Sequence, residues 1–303
     1  MGKISRKNWI LIWILGMTGQ ICWNIENSWF NTFVYDKIAP EPAIVSWMVG
    51  VSAAVSTFCT FLVGTWGDRK GKRKPFICIG YILWGIFTFI FGATEMIPKN
   101  PLFIAAACVV LADAVMSFFG SVGNDGGFGP WTTDISNEHN RGKLGGALAV
   151  MPVFATIFGA VVSGLIIDQI DFFAFFGLMG GLVAVVGVMA LFTLEDSPTL
   201  HPKRDEKGFW HQFLTVFNWE TVRGNKELFW VFLVMTVYFI GFNVYFPYIT
   251  IYFVNYLGYD YGMTGIIQGV GLLAAAVMTI PAARFIDKGK APQVIFTAFL
   301  CNT

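Results

Sequence analysis

Long apolar runs separated by short polar loops fill this chain, and eight of the runs reach about 20 residues or more. A helix of that length crosses a hydrocarbon core about 30 Å thick. The pattern predicts helix 1 over residues 8–35, helix 2 over 43–66, helix 3 over 75–94 and helix 4 over 101–132. Helix 5 is expected at 143–167, helix 6 at 172–194, helix 7 at 227–257 and helix 8 at 262–285. A ninth run opens near Gln293 and stops at Thr303, about ten residues that are too few to span a bilayer. The runs are continuously apolar rather than alternating, which excludes a β-barrel. The first is too long for a signal peptide and lacks a small-residue cleavage site. The expected fold is therefore an all-α polytopic membrane protein.

Composition agrees: 55% of the 303 residues are hydrophobic and only 13% are charged. The positions of the cations add an orientation. Of 20 Lys and Arg, 18 fall at the N-terminus or in the 2–3, 4–5, 6–7 and 8–9 loops, and only Lys37 and Lys99 lie on the other side. The positive-inside rule then puts the N-terminus and the long 6–7 loop in the cytoplasm of a cell (plasma or inner) membrane. Net charge of +1 gives no reason to expect nucleic acid. The five cysteines show neither a disulfide framework nor a zinc spacing. No metal or cofactor is expected, and no nucleophile–base constellation suggests an enzyme.

Residues 195–226 break the helical pattern and separate a six-helix unit, 1–194, from a unit that begins at 227 and runs to 303. Within the break, Phe209, Phe213 and Phe217 recur every four residues beside Trp210 and Trp219, as in a helix lying on the inner membrane surface or packed under the bundle. At an offset of 219, Asn24 pairs with Asn243, Gly50-Val51 with Gly269-Val270, Thr60 with Thr279 and Asp68 with Asp287. One gap-free offset joining helices 1–2 to helices 7–8 indicates duplication. Both copies start on the same side, so they are parallel repeats, and about 130 further residues would complete the second. A fragment and a truncated product are both open.

Burying a carboxylate in a bilayer costs roughly 2.5–3.5 kcal/mol or more, so intramembrane acids are candidates for function. Of 19 Asp and Glu, three fall within the predicted spans: Glu26, Asp113 and Asp125. No Lys, Arg or His accompanies them. A neutral or cationic solute, or bound H+ or Na+, suits such a cavity better than an anion. On helix 1, Gln20, Asn24, Asn27 and Asn31 lie within about 60° of one another, flanked by Trp23, with Glu26 about 120° away. Amides beside an aromatic face suit a polyhydroxylated ligand, and they serve equally as hydrogen bonds between helices. Helix 4 carries Asn124 and Asp125 in a glycine-rich stretch, Gly120 to Gly129, fit for a hinge or for close packing. Asp125 is turned about 100° from Asn124 on an ideal helix. Helix 7 offers Asn243, Tyr245 and Tyr248, with Pro247 as a kink. Glu26, Asp113 and Asp125 are the expected cation or proton sites. The asparagines, Gln20, Trp23, Asp125 and the two tyrosines are the expected solute contacts.

One loop is charged out of proportion. Gly64 to Pro75 reads Gly-x3-Asp-Arg-x-Gly-(Lys/Arg)-(Lys/Arg) and holds five of the 20 Lys and Arg. It resembles the signature between helices 2 and 3 of the major facilitator superfamily. The resemblance implies twelve helices in two halves, with a solute held between them near the midplane, and it covers the whole chain. It also implies a cytoplasmic lock built on Asp68 and Arg69, holding the outward-open state, with Gly64 and Gly71 allowing close approach and a tight turn. Arg73, Asp134, Arg141 and the worn copy at Asp287 sit on the same side and complete the expected gate. Asp125, Phe128, Asp134, Glu138 and Arg141-Gly142 resemble the same region of the glycoside–pentoside–hexuronide:cation symporters. That resemblance implies sugar and cation binding at Asp125 and Glu26. No acid lies between Glu41 and Asp68, and helix 5 lacks the group's basic residue, which favours H+ over Na+.

The expected function is secondary transport of a sugar or glycoside by alternating access, with H+ or Na+ as coupling ion. The expected partners are a small solute and the lipid bilayer, with no nucleic acid and a monomeric chain. The alternatives are an H+-coupled exporter of amphipathic or cationic compounds and a non-transporting receptor or inactive fragment.

Overall fold

A computed structural model describes residues 4–198, 200–202, 208–214, 224 and 226–285, excepting the side chains of 226, 228, 276 and 279–285. The predicted ninth run, Asp287, Phe217 and Trp219 lie outside these residues. Among them the eight expected helices all form. Helix 1 runs over 6–38, with Ser5 accepting from the Asn8 N–H at 3.1 Å as its N-cap. Helix 2 (Pro42–Lys70) starts on a proline, whose missing N–H costs nothing there, and stops at Gly71, whose φ of 64° suits glycine. Helices 3 (Lys74–Met96), 4 (Leu102–Asp134), 5 (Arg141–Ile170) and 6 (Phe172–Thr193) follow. Helix 7 covers 226–256 and helix 8 Tyr261–Phe285. Six of these are long and apolar enough to cross a membrane by composition; helix 1, which carries the amide stripe, is not among them.

Close packing explains many of the glycines. At Gly80 an added Cβ would strike the Gly123 backbone, and at Gly85 that of Gly180, so helix 3 lies hard against helices 4 and 6. At the end opposite Arg73, here the far end, aromatic rings fill the core. Phe30 stacks on Phe91 at 4.1 Å, and Phe33, Phe172 and Phe176 pack edge-on around them.

The duplication is visible in the backbone. Helix 1 is interrupted by π turns at Glu26–Phe30 and Val34–Ile38. Helix 7 is interrupted by a 3-10 turn at Phe246–Tyr248, where Pro247 sits, and a π turn at Tyr252–Tyr256. The offset of 219 superposes the two pairs of interruptions to within one residue at their starts. Residues on a two-fold axis must touch their own copies. Asp36 and Asn255 are 219 apart and hydrogen-bonded at 2.8 Å.

Helices 7 and 8 meet the first six only near the far end. On helix 7, Pro247, Thr250 and Ile251 are buried, while Trp230, Val237 and Val244 are exposed. Helix 8 buries Gly262, Thr264, Gly265 and Gly269 and exposes Val270, Leu273 and Val277. The three glycines face helix 5: a Cβ at Gly262 would meet Asp168, one at Gly265 would strike the Ala160 carbonyl, and one at Gly269 the Val161 side chain. Asp168 of helix 5 accepts from the N–H groups of Tyr261 and Gly262, at 3.1 and 2.6 Å, satisfying the first turn of helix 8.

Candidate functional site

Between helices 1, 4 and 5, toward the basic end, lies a cavity of about 380 Å³. Gln20, Asn124, Asp125, Phe128, Thr132 and Met151 are among its lining residues. The π turn Asn124–Phe128 builds it. An ideal helix would hold Asn124 and Asp125 about 100° apart; here the Asn124 amide donates to Asp125 Oδ1 at 3.1 Å. Ser121 donates to Asp125 Oδ2 at 3.0 Å, so both carboxylate oxygens are engaged. Tyr81 Oη lies 3.2 Å from Asn124 Oδ1 and 2.8 Å from the Leu15 carbonyl, tying the turn to helices 1 and 3. The glycines serve packing as well as shape, since Cβ atoms at Gly126 and Gly127 would press on Val63 and Ile77.

The amide stripe of helix 1 divides its work. Gln20 faces the cavity. Asn24 presses on Gly159 of helix 5, where a Cβ would collide with its amide, and its Oδ1 is buried without a partner. Asn27 and Asn31 donate to the carbonyls four residues back, Trp23 at 2.7 Å and Asn27 at 2.8 Å. Asn31 is fully buried and so does not line the cavity. Trp23 rests against Trp84 with ring centres 5.0 Å apart. Helix 5 has its own π turn, Phe158–Val162, and the Gly159 carbonyl there accepts from Trp29 Nε1 at 2.8 Å.

Farther along helices 1 and 4, Ser117 donates to Glu26 Oε1 at 2.8 Å. Asp113 lies within electrostatic range of Glu26, and Ser52 of helix 2 reaches it. Glu26 Oε2 and Asp113 Oδ1 are buried without a protein partner. Asp113 thus joins Glu26, not the cavity wall.

On helix 7, Asn243 bonds its own helix at Phe239 and is exposed, as is Tyr245. Tyr248 is an interhelical tie: its hydroxyl is 2.5 Å from Ser46 Oγ and donates to the Pro42 carbonyl at 3.0 Å.

The charged loop is organised around Arg73, which is 4% exposed. Its guanidinium pairs with Asp68 and, at 3.0 Å, with Asp134, and reaches the Gly64 carbonyl. Its N–H and that of Lys74 donate to Asp196 Oδ1 at 2.7 and 2.8 Å, so a carboxylate three residues past helix 6 caps helix 3. Several expectations need correction. Gly64 makes no close approach, because a Cβ there would meet nothing within 4 Å; Gly67 instead receives the Arg73 guanidinium. Arg69 does not pair with an acid among the described residues. It donates to Gln212 of the linker helix (Phe209–Leu214) at 3.2 Å. Arg141 is exposed and enters no ion pair among the described residues. Gly71 makes the tight turn as expected, against Pro202.

A buried guanidinium between two acids at the end of a six-helix bundle, with a polar cavity among its helices, is the setting for the comparisons with known proteins. The sequence model of the Major Facilitator Superfamily matches residues 8–303. The chain belongs to that superfamily. It is an integral multi-pass membrane protein and a transporter rather than an enzyme. No curated protein matches it. Among solved structures of the superfamily's fold, it is similar to one titled "Crystal structure of D-xylose-proton symporter". The TM-score is 0.62 at 16% identity, over 92% of this chain and 69% of that one.

Sequence reasoning passed over Asp196, Gly67, Ser52, Ser117, Ser121 and Tyr81. Serines, glycines and a tyrosine in apolar helices carry no distinguishing signal until their neighbours are known. Asp36 was different: the offset of 219 pairs it with Asn255, and that signal was present in the chain.

Proposed function

We propose that this facilitator carries a sugar or glycoside by alternating access, coupled to H+ or, less favoured, Na+. The observation that carries the reading is the cavity at Asn124–Asp125. It combines amides, a carboxylate, a hydroxyl and an aromatic ring in about 380 Å³, within the range of small-ligand pockets. A hydroxyl-rich ligand can exchange donors and acceptors with Gln20, Asn124, Asp125 and Thr132 while a C–H face packs on Phe128. The positive-inside rule assigns the Arg73 end to the cytoplasm of the cell membrane. With the two halves joined at the far end, the cavity then faces inward. Residues 1–194 form the first half, 195–226 the linker and 227–303 the start of the second. Asp68, Arg73 and Asp134 are the cytoplasmic gate, and among the described residues their ion pairs stay within the first half. The protein works as a monomer.

Proteoliposomes carrying the protein should accumulate labelled pentoses, hexoses or glycosides when a pH gradient is imposed. If none accumulates or binds while lipophilic cations are expelled, the sugar reading fails. The exporter reading then stands, since no cation lines the cavity and an organic cation would find Asp125.

A further inference from the structure

Three intramembrane carboxylates are present, and their surroundings sort them into two kinds. Both oxygens of Asp125 accept hydrogen bonds, from Ser121 and Asn124, and the residue borders the cavity. Glu26 and Asp113 each keep one buried oxygen without a partner. Asp113 is 1% exposed and Ser117 is fully buried. Four side chains from three helices converge here: Glu26 from helix 1, Ser52 from helix 2, and Asp113 and Ser117 from helix 4. The other titratable groups in electrostatic range of the pair are Asp125 and, one turn back on helix 1, Cys22. Neither brings positive charge. Two buried carboxylates within electrostatic range of each other cannot both remain ionised and dry without a compensating cation. Two serine hydroxyls can each turn a lone pair inward, so the set offers oxygens of the hard type that small cations bind. Two carboxylates that share a site take up one proton or cation most readily, because the first removes their mutual repulsion.

We propose that Glu26 and Asp113, flanked by Ser52 and Ser117, form one site for a single monovalent cation, H+ or Na+, separate from the solute cavity at Asn124–Asp125. The proposal rests on the coupled-transport reading and deepens it: Asp113, not Asp125, is the partner of Glu26. The solute site lies nearer the basic end and the ion site nearer the far end. Helices 1 and 4 connect the two, and each site adjoins a π turn, Glu26–Phe30 at the ion site and Asn124–Phe128 at the solute site.

The test uses the whole chain in nanodiscs at constant ionic strength. In the sodium arm, NaCl replaces choline chloride and the unfolding temperature is followed. In the proton arm, choline alone is present and infrared difference spectra follow carboxyl protonation with pH. One arm should give a saturable signal of one ion per chain. Glu26→Gln and Asp113→Asn should each abolish it, and Asp125→Asn should leave it in place. Ser52→Ala and Ser117→Ala, which keep both carboxyls and disturb packing least, should weaken the ion at least several-fold. Loss of the signal in Asp125→Asn, or its survival in either Glu26→Gln or Asp113→Asn, overturns the proposal. So does silence in both arms for the unaltered chain. Sugar binding, read by tryptophan fluorescence, is a separate measurement. If no sugar binds while the ion signal behaves as stated, the sugar reading fails and the ion site stands.

Discussion

The two ends of this molecule use polar groups for opposite purposes. At the basic end, Arg73, Asp68 and Asp134 tie helices 2, 3 and 4 together within the first half, and Asp196, just past helix 6, caps helix 3. At the far end, Asp36 accepts from Asn255 and, at 2.7 Å, from Tyr261, while Asp168 caps helix 8 and Tyr248 reaches Ser46. Every one of those bonds crosses between the halves. The difference lies in the kind of bond as much as in its place. A buried guanidinium with two carboxylates is a static arrangement, because removing any member strands a charge. Hydrogen bonds among partly exposed groups can be traded for water at a net cost of about 1 kcal/mol each. A transporter that must open at one end while its halves stay folded needs the first kind inside a half and the second kind between halves.

Breaking the static end should cost most. Arg73→Ala leaves Asp134 and Asp68 facing a void at Gly67. It should destabilise the first six helices by about 3 kcal/mol, the low end for a broken buried pair because Asp68 is half exposed. Thermal unfolding in detergent reads the loss, and a fall of under about 0.5 kcal/mol would show that the hub is dispensable. Asp36→Asn tests the other end. It weakens two hydrogen bonds between partly exposed groups, each worth at most about 1 kcal/mol because water can replace it, without removing a buried cation's partner. Spin-label distances across the far end should lengthen while the unfolding temperature barely moves. An unchanged distance distribution together with a large drop in stability would erase the contrast between the ends. The smallest effect is expected at Lys7, whose ammonium bonds the exposed Glu195 at 2.6 Å and holds that carboxyl below the usual carboxylate range. A lowered acid contributes stability that is present above its unfolded value and lost as pH falls through its folded value. Lys7→Ala should therefore raise the Glu195 titration toward the ordinary range and remove a slight acid-side loss of stability. A titration that stays put would mean that the ion pair is not populated in solution.

The same contrast explains what could be read in advance. The helices were legible to within four residues at their ends because a bilayer imposes one length and one polarity on every span. Glycine, proline and charge then mark the ends, as Pro42 and Gly71 do for helix 2. The offset of 219 was legible because a duplicated chain keeps its breaks in step, and Asp36–Asn255 bears this out. The site was only half legible. Glu26, Asp113 and Asp125 were conspicuous as acids in a medium that penalises them, whereas their grouping was not. Ideal helical angles separate Asn124 from Asp125 and put Asp113 on the face of Asn124. The fold nonetheless bonds Asn124 to Asp125 and sets Asp113 within electrostatic range of Glu26, contacts that depend on side-chain orientation and on the approach of helix 1.

Sequence alone therefore determined that this chain crosses a membrane many times, which end is basic, that residues repeat at an offset of 219, and that three acids lie inside its long helices. These follow from properties that each residue carries by itself: transfer free energy, charge and backbone freedom. Tertiary structure decided which acid meets which serine, that Arg73 rather than Arg69 is the hub of the charged loop, and at which end the halves join. Those outcomes depend on helical register and on the approach of other helices. A shift of one residue in a π turn moves a side chain by about 100°, and no local property of the sequence records it.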